Sequence, residues 1–589
     1  MHRISGRSLL VAGLLIAVHG TVVGQDSAHV ASYVPPLATL LNRPTSELRD
    51  LVDRVSTDSR DLGRRYDVDY SAARFTVFRS FDAAWLARLR EVDFDKLSQD
   101  GKVDFILLKN RLTHDLALLG REENRLREMT ALVPFAPAIM DLQERRRRME
   151  SMNPEAVARI VAEVANQAAA VTRAIDSAGT KPSRIVAFRA AALALDLRQT
   201  LKGWYDFYAG YDPLFTWWTK APYEKASDAI QKYAKALREK IVGVKEGEDD
   251  PIVGDPIGRA ALVEDLAFEM IPYGPEDLVK IAEREFAWCE AEMLKASRAM
   301  GFGEDWKAAI EKVKGLHVEP GKQTELVRDL AREAEEWVIR RNLVTVPPLA
   351  RDDWWEEMLS PERQKVSPFF LGGPLILVSY PTDAMAQDDK LMSMRGNNIH
   401  FSRATVFHEL IPGHHLQWFM GDRYNTHRDP FSTPFWTEGW SLYWEMLLWD
   451  QGFPRSPEDR VGMLFWRMHR AARIIFSLRF HLGTMTPQEA IDFLVDRVGH
   501  ERANATAEVR RSFNGSYPPL YQIAYMMGGL QFRALHHDLV DSGKLTDRAF
   551  HDTIIQGNGM PVEMVRALLT RAPLTRDYLP QWKFAGTLP

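Results

Sequence analysis

Apolar residues recur along most of this chain at intervals of three and four, and that spacing admits one broad class of fold. Val157, Ile160, Val161, Val164, Ala168, Val171 and Ile175 fall on one stripe of a helix with 3.6 residues per turn. The run opens at Asn153-Pro154-Glu155, where asparagine can cap the first turn and proline supplies a helical φ. Similar periodicity runs through residues 83–117, 183–205, 222–243, 275–300 and 322–342, with no fixed-period repeat. The pattern predicts a mainly α protein with a large helical body. The 589 residues are 46% hydrophobic and 26% charged, which is enough apolar material for a sizeable core. A net charge of −5 offers no basis for a nucleic-acid partner. The run Arg145 to Arg148 reads as a solvated helix face paired with Glu144 and Glu150.

Two segments depart from helical periodicity. Between residues 343 and 404, Val344–Pro348, Pro374–Tyr380 and Asn398–Phe401 read as short strands among Gly and Pro turns. This small β element would separate an N-terminal helical region, residues 25–342, from a C-terminal helical region, residues 405–589. The other segment is the start of the chain. Arg3 and Arg7 precede an apolar core from Leu9 to Val18, with small residues before Gly24, so residues 1–24 read as a cleaved signal peptide. The apolar run is too short to span a bilayer, and no cysteine follows it to carry a lipid. An exported protein, periplasmic or extracellular and without stable membrane insertion, is expected. The single cysteine, Cys289, excludes an internal disulfide and lies on an apolar helix face with Leu278, Ile281, Phe286 and Met293.

The chemistry concentrates at Phe407-His408-Glu409-Leu410-Ile411-Pro412-Gly413-His414-His415-Leu416-Gln417. In the H-E-x-x-H motif, two histidines one turn apart hold Zn²⁺ and the glutamate is the base. Here Pro412 occupies the second histidine's place. Six residues of regular helix turn about 600°, so His408 and His414 would face different ways. Pro412 lacks the N–H owed to the His408 carbonyl, and Gly413 tolerates unusual backbone angles. Together they permit a break that returns His414 to His408. His415 would share the face of His408 but lie roughly 10 Å along the axis on a regular helix. The spacing therefore ranks His414 above His415 as the second ligand. Downstream, Thr437-Glu438-Gly439-Trp440 to Glu445 reads as a second helix that begins at a Thr-type cap.

H-E-x-x-P-G-H-x-x-Q followed by E-G-W-x-x-Y resembles the bacterial domain of unknown function 885 family, which is grouped with the zinc metallopeptidases of the H-E-x-x-H type. The likeness extends over roughly residues 45–585, through Trp85–Asn110, Tyr273–Gly303, Arg470–Gly499 and Pro518–Leu535. It implies a helical metallopeptidase-like fold with a deep cleft between N- and C-terminal halves. Thermolysin-like and angiotensin-converting-enzyme-like peptidases carry a glutamate ligand on a second helix at about the distance of Glu438. His408, His414 and Glu438 would thus hold one Zn²⁺ and leave a position open for water. Glu409 would be the general base.

Further roles follow from the same resemblance. Tyr525 occupies the family's P-x5-Y-x-x-G position, with Pro519 and Gly528 matching, and is the candidate oxyanion donor. The family usually has Gly-Gln after that proline, whereas this chain has Leu520-Tyr521, which alters the local substrate contacts. Tyr521, four residues before Tyr525, shares its face. Substrate-binding candidates are Tyr521, His481, Arg473 and Arg511, the arginines because they pair with carboxylates. His400 joins them as part of a strand, Asn397–His400, that would form the edge for an added peptide strand. Glu445 is a candidate partner for a ligating histidine, and His415 and Gln417 would support the metal helix. Trp418, Trp436, Trp440, Trp444 and Trp449 divide between cleft and core. The expectation is a zinc-dependent peptidase acting on short peptides; the alternatives are a hydrolase of another amide and an inactive binding module.

Overall fold

A computed structural model describes residues 29–586, apart from 42, 44, 178–180, 248–249 and 365–368. The proposed signal peptide lies outside the described residues. The periodic runs form helices, and the protein is mainly α. They include α1 (Gln99–Met129), α2 (Ala136–Arg147), α3 (Pro154–Asp176), α4 (Arg184–Tyr208), α5 (Pro213–Leu237), α6 (Pro275–Ala299) and α7 (Gln323–Arg340). The C-terminal part contributes α8 (Ile399–Glu409), α9 (His414–Gly421), α10 (Pro434–Asp450), α11 (Pro457–His481), α12 (Arg502–Phe513) and α13 (Tyr521–His536). The Asn153 side chain accepts from the Ala156 N–H at 2.9 Å, which is the cap expected for α3. The periodic run 83–117 is divided, since one helix stops at Leu89 and α1 restarts behind the Ser98 cap.

Two hydrophobic centres hold the chain together. One is built from residues 68–242, with Phe135, Trp204, Phe215 and Tyr233 packed among α2 to α5. The other joins the start of α1 to α6, the end of α7, and α8, α10, α11 and α13. Residues 48–112 and 262–350 therefore share their core with the C-terminal helices. Cys289 is buried there on α6, and burial pushes its thiol up to about 12. The Arg145–Arg148 run is laced to acids, with Arg145 3.3 Å from Glu150 and Arg148 3.7 Å from Glu144.

The β element is smaller than the sequence suggests. β1 (Glu356–Met358) pairs in parallel with β2 (Ile376–Val378), and Leu371 bridges Leu377 antiparallel on the other side. Only the middle expected strand forms. Pro348 starts a helical turn, Pro348–Asp352, after Val344–Pro347. Asn398–Phe401 is the start of α8, because the Asn398 side chain accepts from the His400 and Phe401 N–H groups at 3.0 Å each. That cap overrides the strand propensity of Ile399 and Phe401. A third, small apolar cluster under the sheet ties Ile376 and Val378 to Val406 of α8 and to Leu410 just after it. It seats the bridged segment against the end of the metal-motif helix.

Candidate metal centre

α8 stops at Glu409, and the chain turns sharply through Leu410–Gly413 before α9 begins at His414. The peptide between Ile411 and Pro412 is cis. Gly413 donates to the Phe407 carbonyl at 3.0 Å and passes so close to the first helix that a Cβ would lie 1.9 Å from the His408 oxygen. Glycine is required there by close approach. α10 clamps the break from outside. Trp440 Nε1 donates to the Pro412 carbonyl at 2.9 Å, Ser441 Oγ donates to the His408 carbonyl at 3.0 Å, and Gln417 Nε2 donates to the Trp436 carbonyl at 3.1 Å. The freed carbonyls at the broken turn thus find partners, as buried backbone must.

The break brings His414 back beside His408, with ring centroids 4.9 Å apart. Glu438 stands on α10 opposite both. Its Oε2 is 3.2 Å from His414 Nε2 and 3.6 Å from His408 Nε2. All three side chains are buried. Helix α10 begins at Pro434 behind the Thr433 cap, one turn before the Thr437 start read from the sequence. That extra turn places Glu438 inside the helix. His415 points elsewhere, its Nε2 2.8 Å from the Ala350 carbonyl.

A tetrahedral ion bonded at about 2.0–2.1 Å holds its ligand atoms roughly 3.3–3.4 Å apart. The two distances from Glu438 Oε2 to the imidazoles bracket that value, so the donor set fits zinc in number and chemistry and, at those two edges, in separation. Glu409 also belongs to this cluster, for its carboxylate and the two imidazoles lie within 4.8 Å of one another. Glu438, outside that group, approaches both imidazoles through one oxygen, at 3.2 and 3.6 Å. Glu445 on α10 accepts from His408 Nδ1 at 2.7 Å, which leaves Nε2 turned to Glu438. This is the partner a ligating histidine needs on its second nitrogen.

The electrostatics separate the two carboxylates. Burial disfavours the Glu438 anion, but the charges of His414 and His408 and their hydrogen bonds hold it well below the usual carboxylate range. Burial raises Glu409, with the Glu438 charge adding to the effect, against the opposing pull of His408 and His414. Burial lowers His408, yet hydrogen bonds to Glu438 and Glu445 outweigh it and push the imidazole up to about 9. The two buried carboxyls are thus shifted in opposite directions.

A cavity of about 170 Å³ opens on this cluster. Every residue lining it lies between 369 and 525, so it is enclosed by the C-terminal helices and the bridged segment 369–372. No residue of the N-terminal helices lines this cavity. Gly372 covers Glu409 so closely that a Cβ would sit 2.4 Å from its Oε2. Trp418 stacks on His414 at 5.3 Å and lines the cavity, whereas Trp436, Trp440 and Trp444 are core residues.

Helix α13 supplies the opposite wall. It meets α10 at Gly439 and Gly528, where a Cβ on Gly528 would lie 2.1 Å from the Phe435 carbonyl. This close crossing brings Tyr521 and Tyr525 to the site. The Tyr521 hydroxyl donates to Glu438 Oε1, so it buttresses the carboxylate. Tyr525 stacks 6.3 Å from the His408 ring. Burial and the Glu438 charge raise both phenols, which keeps them protonated as donors.

Arg473 and Arg511 both line the cavity, as the sequence suggests, and Arg470 joins them. Arg473 Nε donates to Glu508 Oε1 at 2.7 Å, and Arg511 Nη2 donates to the Tyr517 hydroxyl at 2.9 Å. Buried Glu508 is held near 2 by the charges of Arg473 and Arg511, which overcome its desolvation. The sequence reading missed Arg470 and Glu508; a single surface-like charged stretch, Glu508-Val509-Arg510-Arg511, hides Glu508.

Two candidates fall outside the cavity. His400 is helical, and its Nδ1 pairs with Asp459 at 2.7 Å, so Asn397–His400 is not a substrate-binding edge. The extended stretch at the cavity is the Leu371 bridge instead. His481 is buried at the end of α11 beside Phe480, where burial lowers its imidazole to about 4 and Asp265 and Arg125 are its charged neighbours. It is a packing histidine. A second cluster, His536, Asp547 and His551, has ligand-like spacing. There both His551 nitrogens are engaged, one with the Leu343 carbonyl at 2.8 Å and one with the Tyr443 hydroxyl at 2.7 Å.

Residues 60–569 match the family described as bacterial protein of unknown function, DUF885. The chain belongs to the DUF885 family. Two solved structures resemble this DUF885 protein over most of their length. One is a candidate lipoprotein of unknown function from Shewanella oneidensis, with a TM-score of 0.65, 19% identity, and coverage of 88% of this chain and 98% of that one. The other is a candidate lipoprotein from Colwellia psychrerythraea, with a TM-score of 0.57, 15% identity, and coverage of 89% and 97%. At such identity they establish the shared fold alone. No curated protein matches the chain. Among the described residues, no helix is long and apolar enough to cross a membrane.

Proposed function

We propose that this DUF885 protein is an exported zinc-dependent peptidase that hydrolyses short peptides. The observation that carries the reading is the convergence of His408 Nε2, His414 Nε2 and Glu438 Oε2 beside Glu409, in a buried pocket that opens to a cavity. A zinc ion held by His408, His414 and Glu438 would supply Lewis acidity to a water and to the substrate carbonyl. The remaining tasks fall to side chains. Glu409 takes a proton on its carboxylate from the attacking water and returns it to the leaving amine, a shuttle suited to a carboxyl that burial has raised. Tyr525, protonated and facing the cavity, donates its O–H to the developing oxyanion. Tyr521 and Glu445 hold Glu438 and His408 in place. A volume of about 170 Å³ is below the 300–1,000 Å³ usual for drug-sized ligands and suits a small substrate. Export rests on the sequence of residues 1–24 and agrees with the lipoprotein descriptions of the two structural neighbours.

The test is elemental analysis together with a peptide-library digest, on wild type and Glu409→Gln. About one zinc per chain in both, with cleavage only by the wild type, is expected. Equal cleavage by Glu409→Gln would remove Glu409 as the base. Absence of zinc from wild type after zinc is supplied would leave a binding module on this fold.

A further inference from the structure

The arginine side of the cavity has more cationic hydrogen-bonding capacity than the protein uses. Arg470, Arg473 and Arg511 line one wall. Arg470 and Arg473 are 6% and 2% exposed. Both guanidiniums stack on Tyr525, each 4.5 Å from its ring centroid. Tyr525 in turn faces His408, so the guanidiniums stand one side chain away from the proposed zinc ligands. Glu508 serves two of them, bonding Arg473 and lying 3.9 Å from Arg511. Arg470 stands 3.9 Å from Glu445, which already serves His408, and its charge also acts on Glu409. Arg470 Nε and Arg473 Nη1 are buried with no hydrogen-bond partner among the described residues. Buried guanidinium N–H groups left unpaired are costly, and arginine's planar fork matches a carboxylate.

Building on the peptidase reading, we infer that this wall binds the free α-carboxylate of the substrate, so that the enzyme removes single residues from the C-terminus of short peptides. The inference assigns a direction and a chemical class that the zinc cluster alone does not. The small cavity, about 170 Å³, is in keeping with a short segment beyond the scissile bond. One water is consumed per turnover. Its oxygen goes to the new carboxylate of the shortened peptide, the C–N bond breaks, and the leaving nitrogen takes both of the water's protons, so the amino acid departs as its ammonium form. Arg473 and Arg511 would contact substrate. Glu508, which orients them, is a positioning residue.

Two measurements separate this inference from the peptidase reading. The first uses chelator-treated, metal-free full-length protein and calorimetric titration with N-acetyl-leucine and with N-acetyl-leucinamide. The acid should bind at least ten-fold more tightly than the amide, and Arg511→Gln, at the edge of the cluster, should erase most of that preference. A spectroscopic check of Arg511→Gln folding accompanies the titration. Equal binding of acid and amide by wild type, or no binding of either, would overturn the inference, as would an unchanged preference in folded Arg511→Gln and Arg473→Lys alike. The second uses zinc-loaded wild type with a tetrapeptide bearing a free or an amidated C-terminus. Loss of the last residue from the free acid alone is expected. Equal cleavage of both peptides would sink the inference and leave the peptidase standing. Acid-selective binding without cleavage of either would keep the carboxylate wall and refute the peptidase.

Discussion

His408 Nδ1 lies 2.7 Å from Glu445 Oε1, and both residues are buried. The two positions are 37 residues apart and belong to different helices, yet the pair decides which imidazole nitrogen faces Glu438. The glutamate acts through the histidine, on its basicity and its orientation.

Glu445→Gln keeps the shape but loses the negative partner. Its zinc dissociation constant should rise by roughly 10–100-fold, the usual cost of losing such a support. Competition with a calibrated chelator measures it. An unchanged constant would show that the pair is packing alone.

His414 and His415 are adjacent in sequence but diverge in the fold, one toward Glu438 and one toward the Ala350 carbonyl. His414→Ala should abolish stoichiometric zinc, and His415→Ala should retain it with some loss of stability. Metal content after gel filtration distinguishes them. Zinc loss confined to His415→Ala would reverse the ligand assignment.

Gly413→Ala would place a methyl 1.9 Å from the His408 carbonyl oxygen. The neighbour is backbone at the end of α8, so the broken turn must open. A destabilisation of about 1–3 kcal/mol, together with weakened zinc binding, is expected from such overpacking. Denaturant unfolding of the metal-free protein isolates the first effect, and an unchanged midpoint would contradict the close approach.

Glu269 provides a pH signature away from the metal cluster. It is buried, with Oε2 unpaired, and burial pushes its carboxyl up to about 8. The unfolded chain loses this proton near pH 4.3, so between about pH 4.3 and 8 the folded state binds more protons. Stability from this group therefore falls as pH rises through that window, by a few kcal/mol. Glu269→Gln should flatten the decline. Unfolding midpoints from pH 5 to 8.5 in both proteins test it, and parallel curves would show that Glu269 is ionised in the fold.

Much of the fold is legible in the sequence, because helices announce themselves locally. The stripe on α3, its Asn153 cap and the Pro-Gly break after Glu409 are all properties of neighbouring residues. The strands were harder, since apolar stretches such as Ile399-His400-Phe401 satisfy either period, and one asparagine side chain settled the matter in favour of helix. Of the proposed site residues, His408, His414, Glu438, Glu409, Tyr521, Tyr525, Arg473 and Arg511 meet at one cavity, while His400 and His481 stand outside it.

The sequence by itself determined the helical class, the broken motif and the residue types able to bind zinc, for these depend on spacing within a few turns. Only the tertiary structure decided that His414 rather than His415 turns toward Glu438, that Glu445 supports His408, and that Arg470, Arg473 and Arg511 line one cavity with Glu508 behind two of them. Those relationships depend on how α10, α11, α12 and α13 cross. The crossings are set by close contacts such as Gly439 on Gly528, between residues far apart in the chain.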